Sequence, residues 1–220
     1  IISTKQIYFR PINIHDIENG WLNWINNPDT NNFLVHKNPT RYEDLVEYLE
    51  KSQPPSVYMF AVCLVDNDKY IGNARLSSID WINRHASYGR LIGSSDLRGK
   101  GIGTEILVLL AHYAFYNLNL HRISTGVVAN NIASVRSNEK AGAIKEGLSR
   151  EESYINGAYE NSVMFGMMRK DFEKTELNNI IITWSVIYKI MCSILGVITR
   201  NCKFDISNDM SSRSFVRTPS

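Results

Sequence analysis

The sequence predicts an α/β domain of the α+β kind: about seven strands with flanking helices, then an apolar helical tail. Three observations carry that expectation. Hydrophobic spacing is helical between residues 13 and 52, alternates from residue 57, and turns helical again after residue 103. Gly, Pro and Asn-Gly punctuation falls between those runs. The chain has 220 residues, 44% of them hydrophobic, which suffices for one cored domain and an appendage. The expected boundaries are 1–173 for the domain, 174–200 for the tail and 201–220 for a polar, disordered end.

IYFRP (7–11) reads as a short strand stopped by Pro11. NIHDIENGWLNWINNP (13–28) has apolar residues at 14, 17, 21, 24 and 25, close to helical spacing, and Pro28 ends it. Trp21 and Trp24 lie three apart, so at least one belongs in the core. RYEDLVEYLEKS (41–52) is a second helix, with Thr40 as N-cap and Glu43 three residues on. VYMFAVCLV (57–65), YIGNARLSSI (70–79) and HASYGRLIG (85–93) form a strand meander. GTEILVLLAHYAFYNLN (103–119) is a long apolar helix, and HRISTGVVA (121–129) a β-branched strand. NIASVRSNEKAG (131–142) is a helix bracketed by Asn131 as N-cap and Gly142 as stop. AIKEGLSREESYI (143–155), a turn at Asn156-Gly157 and YENSVMFGMMR (159–169) close as a hairpin.

Composition removes several functions. A formal net charge of +2 without a long Lys/Arg block gives no reason for a nucleic-acid partner. Cys63, Cys192 and Cys202 are too few and too scattered for a disulfide framework and read as free thiols. The histidines at 15, 36, 85, 112 and 121 are dispersed, so no metal site is expected. No basic flank precedes an apolar run at the start, so no signal peptide is expected and the domain is assigned to the cytoplasm.

The stretch DLRGKGIGTE (96–105) sits between a strand and a helix. It lacks the G-x-x-x-x-G-K-S/T spacing of a P-loop and the G-x-G-x-x-G of a dinucleotide turn. Its glycines still permit close backbone approach and positive φ. A helix start offers free N–H groups, and Arg98 and Lys100 add charge. Together these suit a pyrophosphate. The plainer alternative is a glycine-rich turn with solvated basic residues.

In this context Arg98-x-x-Gly101-x-Gly103 resembles motif A of the GNAT acetyltransferases. NNIASVRSNEKAGA (130–143) resembles the family's N-x-x-S…E-K-x-G segment, and IYFRP the opening L-R-P of its RimJ/RimL-like branch. NLNLHRIST (117–125) and INGAY (155–159) also match that branch. The resemblance implies a GNAT fold with a mixed central sheet, and acetyl-CoA as co-substrate without a metal. It implies that the backbone of Leu91, Ile92 and Gly93 pairs with pantetheine as an added strand would. It implies that Arg98, Gly99, Lys100, Gly101, Ile102, Gly103 and Thr104 cradle the pyrophosphate. Asn131 and Ser134 lie where the family meets the pantetheine arm near the thioester; the plainer readings are an N-cap and an exposed first-turn serine.

In such an enzyme a neutral amine attacks the thioester carbonyl, and the oxyanion needs an aimed N–H donor, expected from strand 85–93. A lysine-like amine has a pKa of about 10.4, so a base or water relay must take its proton. The leaving thiol, at about 8.5, needs roughly 2 kcal/mol of help at neutral pH, which one hydrogen-bond donor largely covers. Relatives often carry a Tyr acid where this chain has Asn138, and an Asp or Glu base where it has Ser87. Ser134 is therefore the expected donor to the sulfur. His85, Asp80 and Glu152 are the base candidates; His85 leads because imidazole titrates near about 6.5, and the alternative is a strand-end histidine facing solvent. With both usual groups altered, a domain that binds acetyl-CoA without turnover is an alternative of another class.

WLNWINNPDTNNFL (21–34) and YIGNARLSSIDW (70–81), followed by R-x-A…G-x-L-I-G, resemble amino-sugar acetyltransferases of surface-polysaccharide pathways. The expected acceptor is therefore a nucleotide-linked amino sugar, with Trp24 and Trp81 as stacking surfaces. The alternatives are a protein N-terminus and a small amine such as a polyamine or aminoglycoside. Residues 180–198 are long enough to span a bilayer core at about 28 Å as a helix, but Lys189 at the centre costs on the order of 3 kcal/mol. Membrane association or a homo-oligomer contact is expected there.

Overall fold

The structure, a computed structural model, describes residues 2–33, 38–93 and 95–181. Seven strands are present: β1 Ile7–Pro11, β2 Tyr58–Leu64, β3 Tyr70–Asp80, β4 His85–Ile92, β5 Arg122–Val128, β6 Ile144–Ile155 and β7 Ala158–Met168. They form one mixed sheet in the order β1-β2-β3-β4-β5-β7-β6. All neighbours are antiparallel except β4 and β5. That parallel pair requires a crossover, supplied by the helix α4, Ile102–His112, and a wide π turn at Tyr113–Asn117. The other helices are α1 Leu22–Asn26, α2 Pro28–Asn31, α3 Tyr42–Lys51, α5 Ile132–Lys140 and α6 Arg169–Glu173.

The strands fall where alternation places them, and Asn156-Gly157 makes the expected turn, both residues at positive φ. The first helices differ. The run 13–28 is broken by Gly20 at φ 144, where a Cβ would lie 2.6 Å from the Trp24 ring. Pro28 does not end a helix but starts one: the Asn27 side chain accepts from the Asp29 N–H at 2.9 Å, and proline fits the first helical position. The box at the start of α3 sits one residue later than expected. The Asp44 carboxylate accepts from the Arg41 N–H at 2.8 Å, while the Thr40 N–H is taken by Asn26 Oδ1 at 2.9 Å.

The main core lies between the sheet and α4, whose residues Ile106–Ala111 are all buried. A helix buried on every side needs cover on its far face. Leu177, Ile180 and Ile181 contribute to that cover, so the start of the expected tail packs onto the domain. The remainder of the tail, 182–200, and the end, 201–220, lie outside the described residues. Among the described residues no helix is long and apolar enough to cross a membrane.

A second cluster, with Ile17, Trp21 and Leu45, covers the other sheet face beside β1–β3. It is anchored by a bidentate ion pair from Arg10 to Asp16, at 2.7 and 2.5 Å. Asp16 is 1% exposed and also accepts from the Asn13 N–H at 2.9 Å. The arginine of IYFRP is thus structural: it fastens the first strand to the entry of the first helix.

Candidate functional site

The parallel pairing of β4 with β5 is short. His85, Ala86 and Ser87 match Arg122, Ile123 and Ser124, and then the strands part. Beyond this fork, among the described residues, Tyr88–Ile92 keep only β3 as a neighbour, over about 16 Å of strand. An unpaired strand edge is a ready template for an extended ligand. A bulge in β3 at Ser78–Ile79 lies opposite Ala86, at the fork itself. Leu91, Ile92 and Gly93 end the free edge, and the Gly93 N–H is held by Ile71 O at 2.9 Å.

The glycine turn stands at the same end. Gly99 has φ 76, and Gly101, the N-cap of α4, has φ 85. A Cβ on either would meet nothing within 4 Å, so the glycines answer to backbone conformation and open space rather than packing. Gly101 O accepts from the Thr104 and Glu105 N–H groups at 2.9 and 3.1 Å, which leaves the Ile102 and Gly103 N–H groups without intrahelical acceptors. Arg98 reaches back to Asp29 O at 2.5 Å, fixing the turn against α2. Lys100 is exposed. This geometry fits an anionic, extended cofactor.

α5 follows the end of β5, past the fork. Asn131 Oδ1 accepts from the Ser134 N–H at 3.1 Å, so Asn131 is an N-cap. Ser134 is half-buried in the first turn, and its carbonyl takes bonds from Ser137 Oγ at 2.9 Å and Asn138 Nδ2 at 2.7 Å. Asn138 is fully buried and its Oδ1 accepts from the Tyr88 hydroxyl at 2.7 Å. Burial pushes the Tyr88 phenol above its ordinary pKa. Tyr88 and Arg90 escaped the sequence reading. A signal existed: strand alternation puts Ala86, Tyr88, Arg90 and Ile92 on one face, and an arginine on an apolar face is anomalous.

His85, Ser87, Gly89 and Leu91 take the opposite face. His85 opens β4 with its side chain 47% exposed, and its Nε2 lies 3.6 Å from Asp80 Oδ2. Asp80 is engaged by its own turn: it accepts from the Ile82 and Asn83 N–H groups and from Asn83 Nδ2 at 2.8–2.9 Å. Those bonds, the Asn83 N–H first, hold its carboxyl below the usual range. Glu152 is exposed in an irregular part of β6.

The two tryptophans are not brought together. A Cβ on Gly93 would fall 1.9 Å from the Trp24 ring, which also tilts against Tyr70 at 4.7 Å. Trp24 thus packs at the far end of β4, while Trp81, 44% exposed, stands on the turn before it. The strand between them is about 26 Å long, too far for one sugar to touch both rings. Among the described residues no cluster of His, Cys, Asp and Glu could hold a metal ion.

Residues 6–144 match the acetyltransferase (GNAT) domain model. The chain is 32% identical over 187 residues to "Probable N-acetyltransferase YjcK" of Bacillus subtilis (strain 168), covering 79% of this chain and 100% of that one. It is 27% identical to the spermidine N(1)-acetyltransferase of Vibrio cholerae serotype O1, covering 68% of this chain and 88% of the relative. The crystal structure of spermidine N-acetyltransferase from Vibrio cholerae in complex with CoA and spermine superposes with a TM-score of 0.70 at 25% identity, covering 77% of this chain and 99% of that one.

Proposed function

The chain belongs to the GNAT acetyltransferases and is an N-acetyltransferase that uses acetyl-CoA, and from that premise we propose that its acceptor is a small-molecule primary amine. The observation that carries this is likeness over nearly the whole length of an enzyme whose structure holds CoA and spermine. The amino-sugar expectation has no support of that kind, and its two stacking rings lie at opposite ends of β4. The acceptor side would be the face of β4 and β5 around the fork. Its floor would be Ser87, Ser124 and Gly126, whose small size would leave room for a narrow amine.

Acetyl-CoA supplies the activated acetyl group; the chain supplies position, hydrogen bonds and a path for one proton. The free edge at Leu91–Gly93 would hold the pantetheine, and residues 98–104 the diphosphate. An N–H of β4 near the fork would take the oxyanion. The Ser134 hydroxyl would steady the departing thiolate. His85 shares a face with Ser87 and lies about 7 Å along the strand from it, so it would receive the amine proton through one water.

A panel of spermidine, spermine, an aminoglycoside, an amino-sugar nucleotide and an N-terminal peptide, followed by free-thiol release, tests this reading. Turnover with a small amine is expected. Thiol release from the peptide alone would overturn it in favour of protein N-terminal acetylation.

A further inference from the structure

Arg90 is a cation on the apolar face of its strand. Its neighbours on that face, Ala86, Tyr88 and Ile92, enter the main core. Its Nη2 donates to Ser137 Oγ at 2.5 Å, and its Nε lies 3.7 Å from where a Cβ on Gly103 would stand. The guanidinium is therefore wedged between the first turn of α4 and the middle of α5. Burial lowers its pKa. Among the described residues it enters no ion pair. Glu105, the acid of that turn, is directed elsewhere and accepts from Thr4 Oγ1 and Gln6 Nε2.

Arg90 is half-buried, and a partly desolvated charge without a counter-ion gains little from the fold around it. Its place beside the first turn of α4 suits an anion bound there. The open N–H groups at the start of α4 are within one helical turn and carry the same sign of potential. Two positive features thus converge where, among the described residues, no carboxylate pairs with the guanidinium.

We propose that Arg90 is a half-buried counter-charge for the diphosphate of acetyl-CoA, approaching it from the sheet side while the glycine turn approaches from the helix side. This rests on the cofactor site proposed above. It separates Arg90 from Arg98, whose guanidinium is tied to the Asp29 carbonyl. It also explains the contact with α5: Ser137 Oγ bonds both Arg90 and Ser134 O, so the cation is coupled to the turn that carries Ser134.

The test compares binding of CoA, dephospho-CoA and pantetheine to the full chain by calorimetry, for wild type, Arg90→Met and Arg90→Gln. Without ligand, Arg90→Met should melt close to wild type, since no ion pair is lost and its neighbours on that face are apolar. Both variants should bind CoA and dephospho-CoA at least about tenfold more weakly, as loss of a charge-assisted bond requires. Pantetheine, which lacks phosphate, should bind them as it binds wild type. Equal weakening of all three ligands would mean a packing role and overturn the proposal. Weakening of CoA alone would move the contact to the 3′-phosphate and overturn it too, as would unchanged affinities. Should Arg90→Met fail to fold, Arg90→Gln, which keeps a donor for Ser137, decides alone. Gly101→Ala separates the two levels of inference. If it weakens CoA binding while the Arg90 variants do not, only the Arg90 proposal fails; if neither does, the cofactor-site reading fails with it.

Discussion

Gly101→Ala and Gly157→Ala form a matched pair that isolates the glycine turn from its backbone strain. Both glycines have φ 85, and a Cβ on either meets nothing within 4 Å. Both substitutions therefore cost the same left-handed strain, about 1–2 kcal/mol, with no clash added. For a domain of this size that lowers the melting temperature by roughly 2–8 °C in each. The contexts differ. Gly157 turns a hairpin, whereas the methyl at Gly101 would project into the space before α4. If one charge-assisted bond to a diphosphate is lost there, at about 1.5–3 kcal/mol, CoA affinity falls roughly 10- to 150-fold. Calorimetric titration with CoA, beside melting curves for both variants, measures the two effects separately. Matched melting shifts with weaker binding only in Gly101→Ala is the expected result. Equal CoA affinity in both variants would refute the assignment of residues 98–104.

Three further outcomes follow from the packing. Arg10→Met leaves the Asp16 carboxylate, 1% exposed, without its guanidinium, and should lower stability by about 3–5 kcal/mol in urea titrations. Asn131→Asp retains the capping oxygen and should keep the wild-type melting temperature, while Asn131→Ala loses about 1 kcal/mol; weaker CoA binding by both would show that the amide donates to the cofactor as well. Burial lowers the His112 pKa, and among the described residues its buried Nδ1 has no partner, so the native state takes up its proton later than the unfolded chain. Stability should fall as pH drops below the unfolded value of about 6.5, by at most about 1.4 kcal/mol per unit, and His112→Phe should flatten that slope between pH 6.5 and 5.

What the sequence made legible was local. Strand alternation, the Asn131 cap and the Asn156-Gly157 turn each rest on residues within a few positions of one another, and each stands where expected. The first helices were misplaced because their geometry depends on contacts between distant residues. Gly20 yields to the Trp24 ring, and the Thr40 amide is claimed by Asn26 before it can open α3. Periodicity carries no trace of either contact. The tail is the same case in reverse: Leu177, Ile180 and Ile181 read as the start of a separate apolar segment, yet α4 is buried so completely that they serve as its cover.

The candidate site divides along the same line, and β4 shows why. One of its faces looks toward α4 and α5, where the groups proposed to meet the cofactor occur in sequence order: a strand edge, a glycine turn, a capped helix. Such a succession is readable because each step follows the last along the chain. The opposite face is assembled from residues far apart, Ser87 with Ser124 across the fork, and His85 beside an aspartate already bound by its own turn. Trp24 and Trp81 are paired as stacking rings through the resemblance of 21–34 and 70–81 to amino-sugar acetyltransferases, but strand length keeps them about 26 Å apart. A strand conveys register, so it tells which face a residue takes; it does not tell which residues of other strands share that face until the sheet order is known. Arg90 marks the boundary between the two cases. Its face was predictable from alternation alone, and a charge there stands among Ala86, Tyr88 and Ile92, so the anomaly is visible before any ligand is considered. For that reason the arginine on the apolar face is a sharper guide to cofactor chemistry than the exposed Lys100 in the glycine turn, whose charge solvent already satisfies.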